Sequence, residues 1–183
     1  KYSNFSKLDR LDMKNKLTLS KQCAIKQHKG QYRKNNKTPY WHHLRDVVNN
    51  LEMMGIKDES ILCAGWLHDS IEDTSFDYDD VSKFFGKKVA QIVSDLTKET
   101  RLPKNQQEQN YLKQLAKSSW QSKIVKFADI LANVSDLKNS ELNQKQKIIQ
   151  VKYKIKYLGV IKSGIVKNKN KIPNLFEAQN LLN

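Results

Sequence analysis

A nearly unbroken apolar run, Ile61, Leu62, Ala64, Trp66 and Leu67, ends directly on His68 and Asp69, with Glu72 and Asp73 one turn further on. Such a run leaves a helix no solvent face, so the segment is expected to be buried on most sides. Asp58 or Ser60 can cap its start. Unpartnered charges carried to the end of a buried helix cost on the order of several kcal/mol, so the fold has to bring other groups to meet them. Acidic residues also oppose the macrodipole at a helix C-terminus, which makes Glu72 and Asp73 hard to explain as a mere helix stop.

The rest of the chain reads as helices of the same all-α class, without an internal repeat or an alternating run long enough for a strand. Residues 17–29 form a first helix stopped by Gly30, and a polar, basic connection over 31–38 ends at Pro39. The next covers 42–54, with Val47, Val48 and Leu51 at helical spacing and Gly55 placed as its C-terminal cap. Helices over 77–85 and 87–96 are split at Gly86, and a hydrophilic connection over 97–109 precedes one over 111–117. The segment 120–137 carries Ile124, Val125, Ala128, Leu131 and Ala132 inward; 142–160 is another long helix, and 172–182 a short terminal one with Pro173 in its first turn.

At 183 residues the chain suits a single domain, taken as 1–183, with one buried core. Lys and Arg outnumber Asp and Glu by 33 to 19, a net charge of +14, which favours anionic partners. Many lysines sit beside asparagines, as in Lys34-Asn35-Asn36-Lys37, so the surplus reads equally as a compositional habit. Cys23 and Cys63 form no C-x-x-C pair, which points to a reducing, cytoplasmic setting. The first twenty residues lack a signal-like apolar stretch, and no run of about 18 apolar residues occurs; a soluble protein with no membrane partner is expected, as monomer or homodimer.

His43, His68, Asp69 and Asp129 have the chemistry to hold one divalent cation. Mixed nitrogen and oxygen ligands suit Mn²⁺, Fe²⁺ or Zn²⁺ better than Ca²⁺. His68 and Asp69 are adjacent and on a regular helix would point about 100° apart, so they can share an ion only over the helix end. Glu72 and Asp73 each lie four positions after one of them, a second acidic layer where a carboxylate can orient or deprotonate a water.

The stretch Ala64-Gly65-Trp66-Leu67-His68-Asp69-Ser70-Ile71-Glu72-Asp73-Thr74 closely resembles the signature of the hydrolase domain of RelA/SpoT-type proteins and of stand-alone small alarmone hydrolases. Further blocks agree in order and spacing: His28, Gln31, Arg33 and Lys34; Thr38-Pro39-Tyr40 with His43; Phe85-Gly86 with Val93 and Thr97; Leu102-Pro103-Lys104; and Lys123 to Asp129 with Asn133. The resemblance covers residues 19–160, leaving 161–183 as a C-terminal helical tail. It implies an HD-domain helical bundle around a single metal site, binding Mn²⁺, with Zn²⁺ or Fe²⁺ as alternatives, and removing pyrophosphate from the 3′ position of guanosine tetra- or pentaphosphate. It implies His43, His68, Asp69 and Asp129 as metal ligands and Glu72 and Asp73 as the catalytic acidic pair. Arg33 and Lys34 resemble the basic residues that meet the nucleotide, Asn133 and Tyr153 fall where the family contacts ribose or phosphate, and Lys104 is similar to a lysine on the 5′-phosphate side.

Three positions depart from the pattern. Leu44 replaces a usual proline, a change expected to alter only the start of the helix. Ile130 stands where Lys or Arg usually follows the late aspartate, and Ile149 where some relatives carry arginine; a lost basic contact would have to come from elsewhere, with Lys126 or Lys152 as candidates. These departures motivate an alternative, an HD phosphatase acting on another phosphorylated nucleotide such as NADPH. Nucleic acid is an unfavoured partner, because no aromatic-basic stacking motif or nucleic-acid signature appears. His28 is expected to be structural, His42 to face away from its neighbour, and Trp41, Trp66 and Trp120 to pack in the core. Ser70 has no triad-type base in view.

Overall fold

The computed structural model describes residues 15–138 and 140–180. Among them the order is α1 (Lys16–Gln27), α2 (Trp41–Met53), α3 (Glu59–Leu67), α4 (Ser70–Asp73), α5 (Tyr78–Phe85), α6 (Lys87–Leu96), α7 (Lys104–Lys117), α8 (Trp120–Leu137), α9 (Gln144–Lys167) and α10 (Leu175–Asn180), with a 3-10 turn at Lys169–Lys171. The only β pairing among the described residues is an isolated bridge between Tyr32 and Pro39. No helix among them is long and apolar enough to cross a membrane.

Local chemistry explains where these helices start. Asn15 accepts a hydrogen bond from the Thr18 N–H, and Asp58 from those of Ser60 and Ile61. Asp77 with Asp80 and Asn143 with Gln146 form reciprocal capping boxes. Gly30, Gly55 and Gly86 all have positive φ, which ends or re-aims the chain at the points where the sequence predicts breaks.

Three helices run differently from the sequence reading. α7 starts at Lys104, not near Tyr111, so the connection after α6 ends at Pro103. Its first turns lack apolar residues because Asn105, Gln106, Gln109 and Asn110 face solvent, and periodicity therefore gave no helix there. α9 continues to Lys167 because Ile161 and Ile165 are still buried. The terminal helix begins after Pro173, not through it; Leu182 lies outside the described residues.

α3 is the hub, buried at every residue from Ile61 to Leu67 and packed on α1, α2, α6 and α8. α2 packs in turn on α8, and the Asn50 side-chain amide donates to the Ala128 carbonyl at 3.1 Å, tying the two together. Leu44, read as a change at the start of α2, is fully buried and belongs to the core. Trp66 is buried as expected; Trp41 and Trp120 are half-buried, Trp41 stacked on His42 and Trp120 under the Lys171 ammonium. Both cysteines are free and buried.

α3 approaches α2 closely because Gly65 has no side chain: a Cβ there would lie 2.9 Å from Leu51 Cδ1 and 3.0 Å from Val48 Cγ2. Gly65→Val is therefore expected to lower stability by about 1–3 kcal/mol through overpacking, measured by urea unfolding. An unchanged midpoint would mean that the α2 and α3 contact is not tight.

Candidate active site

The buried end of α3 delivers its charged residues to one place because the helix stops there. His68 caps α3, and Asp69, at φ −97° and ψ 0°, turns the chain into the four-residue α4. At this helix end the two side chains reach each other, and His68 Nε2 lies 2.9 Å from Asp69 Oδ2. His43, from α2, places its Nε2 3.2 Å from Asp129 Oδ1 of α8 and 3.8 Å from Asp69 Oδ2. His68 Nε2 is 3.8 Å from Asp129 Oδ1.

His43, His68 and Asp69 could hold a metal ion, since one ligand atom from each lies within 4.8 Å of the others. The donor set fits: His68 Nδ1–H donates to the Gly65 carbonyl at 3.0 Å, which leaves Nε2 with its lone pair toward the carboxylates. That nitrogen is buried 2.9 Å from Asp69 Oδ2 without the alignment of a hydrogen bond, a state a cation would relieve. A cleft of about 420 Å³ opens above these groups, inside the range of roughly 300–1,000 Å³ usual for small-molecule sites. Its walls come from the connection after α6 and from α7, α8 and α9, with Lys98, Lys126, Tyr153, Lys154 and Tyr157 among them.

A family model described as HD domain matches residues 21–155, most of the chain and every group of the site named above except Tyr157. The chain belongs to the HD-domain family. It is 38% identical over 118 residues to the Drosophila melanogaster guanosine-3′,5′-bis(diphosphate) 3′-pyrophosphohydrolase MESH1, covering 63% of this chain and 66% of that protein. The Homo sapiens protein of the same name is 38% identical over 116 residues, 62% of this chain and 65% of that one. Each alignment thus spans just under two thirds of the relative's length. A solved structure described as a metazoan ortholog of SpoT that hydrolyzes ppGpp is 30% identical, with a TM-score of 0.77 over 91% of this chain and 96% of that one.

Electrostatics in this HD domain centre on two carboxylates. Burial alone would raise the Asp129 carboxyl, but the Lys126 ammonium, 2.8 Å from Oδ2, and the two imidazoles hold it well below the usual range. Asp69 behaves alike: burial opposes ionisation most strongly, the His68 charge and hydrogen bond together with the His43 charge hold its carboxyl below the usual range, and the Tyr40 hydroxyl donates to Oδ2 at 2.7 Å. For His68 burial favours the neutral ring, yet Asp69 and then Asp129 raise its pKa to about 9. The carboxylates thus demand positive charge between the rings.

The acidic pair divides. Glu72 accepts the Lys98 backbone N–H at 2.8 Å, and burial raises its pKa. Asp73 is raised to about 6 by burial and by the charges of Asp69 and Glu72, and its carboxylate lines the cleft.

The other sequence-predicted residues fall around this centre. Arg33 donates from Nε to Asp136 and from Nη2 to Asn133, whose amide N–H donates onward to Asp129 Oδ1, so both are tied to a proposed ligand. Lys34 is exposed and lines a smaller adjoining pocket of about 70 Å³ that Asn133 shares with the cleft. Tyr153 lies on the cleft wall from α9. Lys104 opens α7, and its side chain lies outside what is described.

Neither suggested source of a replacement cation serves freely. Lys126 is committed to Asp129, and Lys152 is exposed and absent from the cleft. Ile130 is itself fully buried in the core. Ser70 is fully buried and off the cleft, and His28 stacks on Tyr40 while its Nδ1 meets Gln31 at 2.6 Å.

Tyr40, Lys98, Lys154 and Tyr157 were missed. In a chain with 33 basic residues no single lysine stands out, and only the register of α9 would have separated Lys154 from Lys152.

A divalent transition ion added to chelator-stripped protein is expected to raise Tm by about 5–10 °C at a hundredfold excess over Kd. His68→Ala and Asp69→Ala should lose the rise. Differential scanning calorimetry checks this, and equal shifts in all three proteins would place the ion elsewhere.

Proposed function

We propose that this HD domain hydrolyses guanosine 3′,5′-bis(diphosphate), or its pentaphosphate, to GDP or GTP and pyrophosphate. The bound ion is Mn²⁺, with Zn²⁺ or Fe²⁺ as alternatives, and His43, His68, Asp69 and Asp129 hold it. The observation that carries the reading is the convergence of two imidazoles and two carboxylates at the floor of a cleft with basic walls, in a chain related to proteins named for this reaction. A cation there supplies polarisation of a phosphoryl oxygen and acidification of water.

The chain's own groups do the rest. Asp73 faces the cleft, has no hydrogen-bonded cation on its carboxylate among the described residues, and accepts the proton of a water attacking the phosphorus attached to the 3′ oxygen. The 3′ O–P bond breaks, the nucleoside keeps its 3′ oxygen, which takes up a proton, and pyrophosphate leaves. Glu72, fixed by the Lys98 N–H, orients that water. Tyr40 and Asn133 hold Asp69 and Asp129 so that neither carboxylate swings into the substrate space. Lys34, Lys104 and Tyr153 meet the nucleotide, and Arg33 acts from beside Asn133.

Asp73→Asn is expected to reduce kcat by about 10²–10⁴-fold while keeping the ion-dependent rise in Tm, measured by pyrophosphate release and calorimetry. Full activity in this variant would remove Asp73 from the chemistry. The same assay run on NADPH decides the alternative: catalytic efficiency comparable with that on the tetraphosphate would make this a broader nucleotide phosphatase.

A further inference from the structure

Residues 150, 153, 154 and 157 of α9 form one stripe along the cleft, the i, i+3, i+4, i+7 spacing of a single helical face. Three of them are polar or aromatic, and the fourth, Lys154, brings a cation. Lys154 lines both the cleft above the acidic floor and the smaller pocket that contains Arg33 and Lys34, so it stands at the passage between the two.

Its surroundings are unusual for a half-buried lysine. Lys126 pairs with Asp129, and Lys98 lies 3.5 Å from Glu108 and donates to the Tyr157 hydroxyl at 2.8 Å. Both ammonium groups sit over the rings of Tyr111 and Tyr157, 4.9–5.3 Å from the centroids. Among the described residues Lys154 has no carboxylate within ion-pair distance, and its ammonium lies 5.9 Å from the centroid of the Tyr157 ring. Burial disfavours its charge, the Asp129 charge opposes this, and Lys126, Lys34 and Lys98 add to it. Lys34, though exposed, likewise has no carboxylate partner among the described residues, and partial desolvation and the Arg33 charge disfavour its own. A fold that gathers cations without counter-charges is preorganised for a ligand that supplies several negative charges at once.

We infer that Lys154 is a substrate-binding residue which, with Lys34, seats the phosphate group remote from the bond being cleaved and so selects nucleotides phosphorylated at two positions. The inference rests on the proposed activity, because the acidic floor fixes which phosphate end lies away from Lys154. It also explains how the chain does without a cation at Ile130 and Ile149: the charge comes from the same helix as Ile149, five residues further along and on the cleft face.

The test compares guanosine 3′,5′-bis(diphosphate) with guanosine 3′-diphosphate, which lacks the 5′ phosphates, on wild type, Lys154→Met, Lys154→Arg and Lys152→Met. In Lys154→Met, KM for the first substrate should rise by about tenfold or more with kcat little changed. Its preference for the doubly phosphorylated substrate should shrink by the same factor. Lys154→Arg should restore most of both, and Lys152→Met, which removes the same charge from the outer face, should leave KM as it was. An unchanged KM and preference in Lys154→Met, or an equal loss in Lys152→Met, would overturn the assignment. If wild type hydrolyses neither substrate, the activity reading fails, and calorimetric binding of the tetraphosphate still decides this one. Affinity about tenfold weaker in Lys154→Met supports the seat, and equal affinity refutes it.

Discussion

Two carboxylates brought face to face near the centre of the molecule set the terms for everything around them. Asp129 is buried on α8 and Asp69 sits at the break after α3, and neither keeps its charge without positive groups within a few ångströms. Lys126, two imidazoles and the donors of Tyr40 and Asn133 supply part of that compensation. The remainder falls on the space between the two Nε2 atoms, where a cation is the natural occupant. The burial of α3, the contact through Gly65 and the bond from Asn50 to α8 all bear on holding that spacing.

Outward from this floor the polarity of the cleft reverses. Acidic groups lie at the bottom, and the walls carry lysines held in an aromatic cage or, among the described residues, without a carboxylate partner. A ligand that is anionic along its length and meets a cation at one end suits this gradient, which is the arrangement the proposed hydrolysis requires. The +14 net charge adds a long-range field of the same sense.

Much of this was legible in the sequence, for physical reasons that differ from part to part. The helices with clear apolar periodicity, α2, α3, α6 and α8, lie within a residue or two of where spacing puts them, because burial there is one-sided or complete. The start of α7 was not legible, since its solvent-facing turns carry amides and no apolar pattern. The metal candidates stood out because imidazoles and carboxylates at the end of a buried helix are costly, and resemblance supplied their partners. The cationic walls did not: lysine is everywhere in this chain, and its meaning depends on which helical face a given one occupies. Arg33 and Asn133 carried a nucleotide-binding expectation, and the fold adds that their donors are directed toward Asp136 and Asp129.

The convergence of four ligands on one cation is the claim most directly open to measurement. Anomalous diffraction from crystals grown with Mn²⁺ should give a single strong peak within coordination distance of His43 Nε2, His68 Nε2 and the carboxylates of Asp69 and Asp129. A peak elsewhere, or none at this position with the ion present in excess, would contradict it.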